Sequence, residues 1–269
     1  MNKSRLAFWT TVFWPLALSA SNALAAGPVE SQTQNHAINM LASGAFSAVN
    51  DQLEPYYRKE LGLDITASFG SALRTVPTSV PRRLERGEAA DVVLTSKTAL
   101  EQLAAQGLVL PDSQVDIMKS ALGLAVRSGS PIPEIGTQAQ TAAALLQARS
   151  IAYSSSLSGT YYETEMLKKM QIEDQVLPKS RKVTGEKVGA VVARGEAEIG
   201  MQQVSELLAV PGIVFVGKLP ESIQQYTVFS AGISASARNP EGARALITFL
   251  ARSPEAHQVL SRNGLEPAR

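Results

Sequence analysis

The segment RLERGEAADVVLTSKTALEQLAAQGLV, residues 83–109, contains the pattern that decides the fold class. In its middle, DVVLTS (residues 91–96) is a short apolar run of the kind that predicts a β-strand. KTALEQLAAQG (residues 97–107) follows it, with apolar residues at helical spacing, and residues 79–87 before it show the same spacing. This part of the chain therefore predicts a strand between two helices.

The same alternation extends in both directions along the chain. Further strand candidates are residues 37–41, 64–69, 122–127, 150–154, 197–202 and 213–217, and helical patterns lie between them at residues 45–61, 141–149, 162–170 and 185–195. Strands that alternate with helices indicate βα units and mainly parallel sheets. The predicted fold class is α/β.

The first 25 residues have the layout of a secretory signal peptide. Lys3 and Arg5 precede an apolar run at residues 6–18, and Ala23-Leu24-Ala25 forms a small-residue cleavage site. The run is shorter than the roughly 20 residues that cross a bilayer. We therefore expect cleavage after Ala25 and a soluble protein in the periplasm, with an uncleaved membrane anchor as the competing interpretation.

The composition narrows the chemistry of the mature chain. With 45% hydrophobic residues and a formal net charge of +1, the chain is typical of a globular protein without a general attraction for nucleic acid. Since it has no cysteine, thiol nucleophiles, thiolate zinc sites and iron–sulfur clusters are excluded. Only His36 and His257 could supply imidazole, and they are far apart in sequence. No cofactor and no metal site are expected.

Neutral hydrogen-bond donors follow four of the predicted strands. In open α/β sheets, ligands bind beyond the carboxyl ends of strands, where helix N-termini attract negative charge. These strand ends together predict a site for an anion or a carboxylate. Its candidate residues are Ser43, Gly44, Ser71, Arg74, Ser156, Ser158, Gly159, Thr160, Gln202 and Gln203.

Two details of these loops carry separate expectations. Successive side chains of a strand point to opposite faces, so only one of Gln202 and Gln203 is expected to face the site. Arg82, Arg83 and Arg86 alternate with glutamates on a helical turn, which is typical of a solvated face.

The chain resembles the periplasmic molybdate-binding proteins of ABC importers. Four segments carry the resemblance, in the same order as in that family: residues 38–72, 83–109, 155–172 and 188–207. The resemblance implies a bilobal type II periplasmic binding protein fold, with two mainly parallel-sheet lobes and a ligand cleft between them. It places lobe 1 at residues 26–120 plus 225–269 and lobe 2 at residues 121–224. It also implies that Ser43 and Ser71 hold the oxyanion, with backbone N–H groups of residues 156–159.

The chain departs from this family at two places. The segment Met201-Gln202-Gln203 lacks the tyrosine of molybdate binders, and the loop after Ser71 is longer and carries Arg74, which we expect one turn into a helix that Ser71 opens. An arginine fork suits a carboxylate, although a solvated Arg74 is an equal alternative. A branch of the superfamily that is similar in both its missing tyrosine and its Gln-Gln segment includes exported aconitate isomerases, which move a double bond by an allylic proton shift.

Two functions of different classes stay open. One is a periplasmic aconitate isomerase acting on trans- and cis-aconitate, which the site departures favour. The other is the substrate-binding subunit of an ABC importer, with a permease as partner, which the fold and the lack of an evident base favour. In both, the partner is a small anion, aconitate or a similar carboxylate ahead of molybdate, and the protein is expected to be a monomer. No base is identified, because each candidate reads more readily as a surface or packing residue: Lys97, Tyr161, Tyr162, Glu163, Glu186 and Lys187.

Overall fold

The computed structural model describes residues 36–268, so the expected signal peptide lies outside the described residues. Within this part, the strands form two sheets. The strands are β1 (Ala37–Ser43), β2 (Asp64–Gly70), β3 (Val92–Ser96), β4 (Val115–Ser120), β5 (Leu122–Arg127), β6 (Ile151–Ser154), β7 (Ser180–Val183), β8 (Ile199–Gln203), β9 (Ile213–Lys218), β10 (Thr227–Ile233) and β11 (Leu265–Pro267).

Both sheets are mixed, with most strands in one direction. The first has the order β11-β4-β10-β3-β1-β2, in which β1 is parallel to β2 and β3 while β10 runs antiparallel between β3 and β4. The second has the order β7-β6-β8-β5-β9, in which β6 is parallel to β7 and β8 while β5 runs antiparallel to β8 and β9. The predicted α/β class is confirmed.

Helices follow most strands and cover the sheets. They are α1 (Ser47–Tyr56), α2 (Val80–Glu85), α3 (Lys97–Ala105), α4 (Gln138–Gln147), α5 (Leu157–Tyr161), α6 (Leu167–Lys169), α7 (Glu173–Val176), α8 (Val188–Ala193), α9 (Val204–Leu208), α10 (Pro240–Arg252) and α11 (Pro254–Arg262). Wider π turns at Tyr57–Leu61 and Tyr162–Met166 extend α1 and join α5 to α6. Across residues 36–268, every helix is too short or too polar to cross a membrane.

Two apolar cores hold these layers together. Phe46, Tyr57 and Phe249 are among the large side chains packed on the first sheet, and Tyr153 and Tyr162 pack together on the second, with ring centroids 4.8 Å apart. β3 is buried along its whole length, which explains the apolar VVL run that marks it in the sequence.

The chain passes from one sheet to the other twice, between β4 and β5 and between β9 and β10. Gln224, in the second crossing, ties the two crossings together. Its amide accepts from the Leu122 backbone N–H at 2.8 Å and donates to the Leu122 carbonyl at 3.0 Å. Because the crossings are short and bonded to each other, they hold the carboxyl ends of strands from both sheets close together.

Candidate functional site

A cleft of about 580 Å³ lies where strand ends from the two sheets meet. β1 and β2 of the first sheet and β6, β7 and β8 of the second end at this cleft. Most of the polar groups that line it are neutral hydroxyls and amides. They are Ser43, Ser47, Ser71, Thr78, Ser154, Ser155, Ser156, Thr184, Gln202 and Gln203, with Glu186, Lys187 and Glu206 as the charged members.

The first sheet supplies Ser43, Gly44 and Ser71 to the cleft, as the sequence suggested. Ser43 ends β1, is 5% exposed, and its side chain makes no capping bond to the turn that follows. Ser71 Oγ accepts a hydrogen bond from the Leu73 backbone N–H at 3.1 Å, which leaves its own proton free to donate. Both hydroxyls can therefore donate to an anion in the cleft.

The serine-rich loop after β6 forms a cluster of hydroxyls. Ser154 Oγ lies 2.7 Å from Ser156 Oγ and 2.8 Å from Ser158 Oγ. Ser154 and Ser156 line the cleft, whereas Ser158 lies behind them, 1% exposed. The Thr160 hydroxyl is occupied by the Ser156 carbonyl, at 3.2 Å. The hydroxyls of Ser158 and Thr160 therefore hold the loop in place and do not face the cleft.

Gly159 has a packing role in the same loop. A Cβ on this residue would lie 1.6 Å from the Ser154 carbonyl oxygen, because the start of α5 packs directly on the end of β6. A glycine is therefore required for α5 to approach the strand. Gly159, like Ser158 and Thr160, lies outside the cleft lining.

Gln202 and Gln203 both line the cleft, contrary to the expectation that only one would. The strand alternation stops here, because Gln203 is the residue that precedes the first turn of α9. Gln202 Oε1 accepts from the Val188 backbone N–H at 2.9 Å, and Gln203 Nε2 donates to Thr227 Oγ1 at 3.0 Å. Gln203 Oε1 has no hydrogen-bond partner within residues 36–268, so it can accept from a ligand or a water molecule.

Arg74 is placed differently from the expectation. The helix after the second loop begins at Val80, capped by Ser79, so Arg74 lies in a stretch of turns. Its guanidinium pairs with the Glu85 carboxylate at 2.9 Å and is not part of the cleft wall. Arg83 also differs from a solvated residue: it is 16% exposed and donates to the Phe69 carbonyl and the Ser68 hydroxyl, so it braces the end of β2.

Lys187 supplies the cation that sequence reasoning sought in Arg74. It precedes α8, in a loop that begins after the short strand β7, and its side chain lines the cleft. Among the described lining residues it is the only lysine or arginine. The neighbouring Glu186 pairs with Arg194 at 2.9 Å and leaves Lys187 available to a ligand. From the sequence, Lys187 stood only among the candidate bases, and β7 was not predicted, because its charged tetrapeptide SRKV does not look like a strand.

Glu206, in the first turn of α9, is the acidic group that the sequence analysis overlooked. Its carboxylate reaches the loop after β1 in the first sheet, where a Cβ at Gly44 would lie 3.3 Å from Glu206 Oε1. Burial raises the pKa of Glu206 to about 7, and the Lys187 charge and a hydrogen bond with Gln202 partly oppose this rise. The sequence did hold one signal for Glu206: it stands four residues, about one helical turn, after Gln202.

Taken together, the lining offers neutral donors from both sheets, one cation and one carboxylate that titrates near neutral pH. Such a set can hold a small polyanion and exchange a proton with it. Within residues 36–268, no cluster of three or more histidine or acidic side chains is arranged to bind a metal ion.

Comparison with known proteins gives a consistent result. The family model for bacterial extracellular solute-binding proteins matches residues 38–266. The curated aconitate isomerase of a Pseudomonas species is 39% identical over 258 residues, which covers 96% of this chain and 96% of that protein. Among solved structures, the molybdate-binding protein of Azotobacter vinelandii superposes with a TM-score of 0.70 at 19% identity, covering 86% of this chain and 100% of the other. The sulfate-binding protein of Mycobacterium tuberculosis gives 0.67 at 15% identity, covering 86% and 87%. The structural likenesses show a periplasmic binding protein fold.

Proposed function

The chain belongs to the bacterial extracellular solute-binding protein family, and from this premise we propose that it is an aconitate isomerase that interconverts trans- and cis-aconitate. The single observation that carries the proposal is its 39% identity to the Pseudomonas aconitate isomerase over nearly the full length of both proteins. The cleft contents agree with the proposal, because they match the demands of the reaction.

The reaction needs three kinds of group. Donors must hold the carboxylates of aconitate, a base must take a proton from the methylene carbon, and further donors must stabilise the dienolate that forms. Lys187 and the hydroxyls of Ser43, Ser71 and Ser156 can serve the first and third needs. Several neutral donors around one cation bind a tricarboxylate without trapping it in a tight ion pair.

The surroundings of the site belong to the same proposal. We assign the residues of the first sheet to one lobe, residues 26–120 and 225–269, and residues 121–224 to the other, with aconitate bound between them. The mature protein acts as a monomer in the periplasm after cleavage behind Ala25. Its partner is aconitate or a close carboxylate.

The direct test is turnover by the purified mature chain. Incubation with trans-aconitate should produce cis-aconitate, followed by chromatography, at a rate proportional to protein concentration. Calorimetry should show heat from trans-aconitate and little from molybdate. Around a small molybdate tetrahedron, some donors of a cleft of about 580 Å³ would stay unpaired, and each unpaired buried donor costs roughly 1–3 kcal/mol.

The family description favours a second candidate, a binding subunit that captures a small carboxylate or molybdate for an ABC permease. It requires affinity without chemistry. Submicromolar binding of molybdate, or of aconitate with no conversion after prolonged incubation, would select this candidate.

Replacing Arg74 tests whether this residue binds the ligand. Because Arg74 pairs with Glu85 outside the cleft lining, Arg74→Ala should leave kcat/KM for trans-aconitate within about twofold of wild type, as for most surface substitutions. A loss near 2–5 kcal/mol, the range for truncating one partner of a buried charge pair, would instead return Arg74 to the ligand site.

A further inference from the structure

We propose that the Glu206 carboxylate is the catalytic base that removes the methylene proton of aconitate and returns it to the other end of the allylic system. The inference deepens the proposed function and rests on it. It assigns the role of base, for which the sequence identifies no residue.

Glu206 lies at the point where a base could reach a ligand in the cleft. Its side chain reaches the cleft from α9 and ends beside Gly44, so it lies where the loops of both sheets converge. A side chain at position 44 would crowd the carboxylate, since a Cβ there would lie only 3.3 Å from Oε1. The adjacent Ser205 hydroxyl donates to the Ala45 carbonyl at 3.0 Å and ties this end of α9 to the loop of the opposite sheet. Glu206 is therefore held at the meeting point of the two sheets.

Gln202 lies beside the Glu206 carboxylate and is itself held in one orientation. The Val188 N–H binds Gln202 Oε1 at 2.9 Å, and this bond turns the amide NH₂ away from Val188. The Gln202 side chain lies close enough to Glu206 to oppose, in part, the rise that burial gives the pKa of this carboxyl. An amide beside the carboxylate favours its ionised form, while acceptor capacity stays free for a ligand.

Glu186 and Glu163, the glutamates closest in kind to Glu206, are neutralised by cations. Glu186 lines the same cleft but pairs with Arg194, and Glu163 is held by Lys182 and the Tyr153 hydroxyl. Glu206 has no ion-pair partner within 4.0 Å among the described residues. A carboxylate that is not bound in a salt bridge is the better proton acceptor.

Few charged groups of the cleft lining face Glu206. The lining residues of the first sheet include no titratable group, and those of the second contribute Lys187 and the paired Glu186. Burial outweighs the opposing effect of Lys187 and brings the pKa of Glu206 to about 7. Because the base must be ionised, kcat/KM should fall as the pH drops through this value.

The proton shift balances within the cleft. Glu206 takes a proton from the methylene carbon, and the electron pair of that C–H bond becomes the new double bond. The electrons of the old double bond move toward the far carbon, and the intermediate is a dienolate on the substrate carboxylates. Glu206, now neutral, gives a proton to the far carbon and is regenerated. No oxidant or second reactant is required.

The test is Glu206→Gln, which preserves shape and removes the base. We expect kcat to fall at least about 10³-fold, within the range for loss of a general base. Calorimetry should give a Kd for trans-aconitate within about threefold of wild type, or tighter because an anion is lost from the cleft. Glu206→Asp should keep measurable turnover. Glu165→Gln, an exposed glutamate outside the cleft, is the matched control and should behave as wild type.

The outcomes separate this inference from the function on which it rests. If wild type fails to isomerise aconitate, the proposed function fails first. If wild type is active and Glu206→Gln keeps more than about a tenth of its kcat, Glu206 is not the base. Loss of both turnover and binding in a variant that melts like wild type would make Glu206 a positioning residue and overturn the proposal. If the Glu206→Gln protein fails to fold, Glu206→Asp is the deciding variant. A kcat equal to that of wild type, together with an unchanged fall of kcat/KM at low pH, would then contradict the inference.

Discussion

Replacing Lys187 with glutamine is expected to lower kcat/KM for trans-aconitate about 30- to 100-fold. The expected cost is about 2–3 kcal/mol, the lower part of the range for truncating one member of a charge pair, because Lys187 is only half-buried. Lys187 is the cation among the described cleft residues, so the substrate carboxylates and the dienolate both lose their one opposite charge. Steady-state kinetics with trans-aconitate measures the effect, which should appear in KM and in kcat.

Lys182→Gln is the matched control for this substitution. Lys182 lies five residues earlier, in β7, and pairs with Glu163 instead of lining the cleft. Its replacement removes the same charge and should change kcat/KM less than about twofold. Equal losses in the two variants would mean that Lys187 acts through the general charge of this surface and would contradict its assignment as a ligand-binding residue.

Gly159→Ala is expected to destabilise the protein by roughly 3 kcal/mol, the upper end of the usual overpacking cost. The new methyl carbon would lie 1.6 Å from the Ser154 carbonyl oxygen and 3.0 Å from the Tyr153 ring, and the first of these is backbone that has little room to move. Relief requires α5 to move away from β6, which also displaces the hydroxyl cluster of Ser154, Ser156 and Ser158. Urea unfolding should show a lower midpoint, and calorimetry weaker aconitate binding.

Gly136→Ala provides the comparison for Gly159. Its Cβ would meet only the Gln140 side-chain oxygen, at 3.4 Å, and that side chain can move. This variant should stay within about 0.5 kcal/mol of wild type. A Gly159→Ala protein as stable as Gly136→Ala would show that α5 does not need its close approach to β6.

The fold was predictable because most of its strands carry a local signal. β5 is observed at the predicted residues 122–127, and β3, which lies within the DVVLTS run, is short, apolar and flanked by helices. The strands that were missed lack such runs. β10 (TVFSAGI) is central in its sheet but contains serine, alanine and glycine, and β7 (SRKV) owes its place to pairing with β6. Such segments become strands because they pair with residues far away in sequence, and a local pattern does not show this pairing.

Of the groups that line the cleft, only neutral ones were placed together from the sequence. Ser43 ends β1, and Ser71 and Ser156 follow β2 and β6 within two residues, so the α/β architecture itself brings these positions together. The charged groups were not predictable in this way. Arg74 was expected to reach the cleft from a helix, but the helix begins at Val80, and Glu85 binds the guanidinium. Lys187 and Glu206 reach the cleft because β7 and α9 place them there, and this placement depends on tertiary structure that the sequence does not record.

An allylic proton shift in this cleft would change the position of deuterium that starts on the substrate methylene. The mature protein would be given trans-aconitate carrying two deuterium atoms on that carbon, in ordinary water, and the product followed by NMR. We expect cis-aconitate in which the labelled carbon has become vinylic and keeps one deuterium. Cis-aconitate with an intact CD₂ group, which rotation about the original double bond would produce, or binding of the labelled acid with no product, would contradict it.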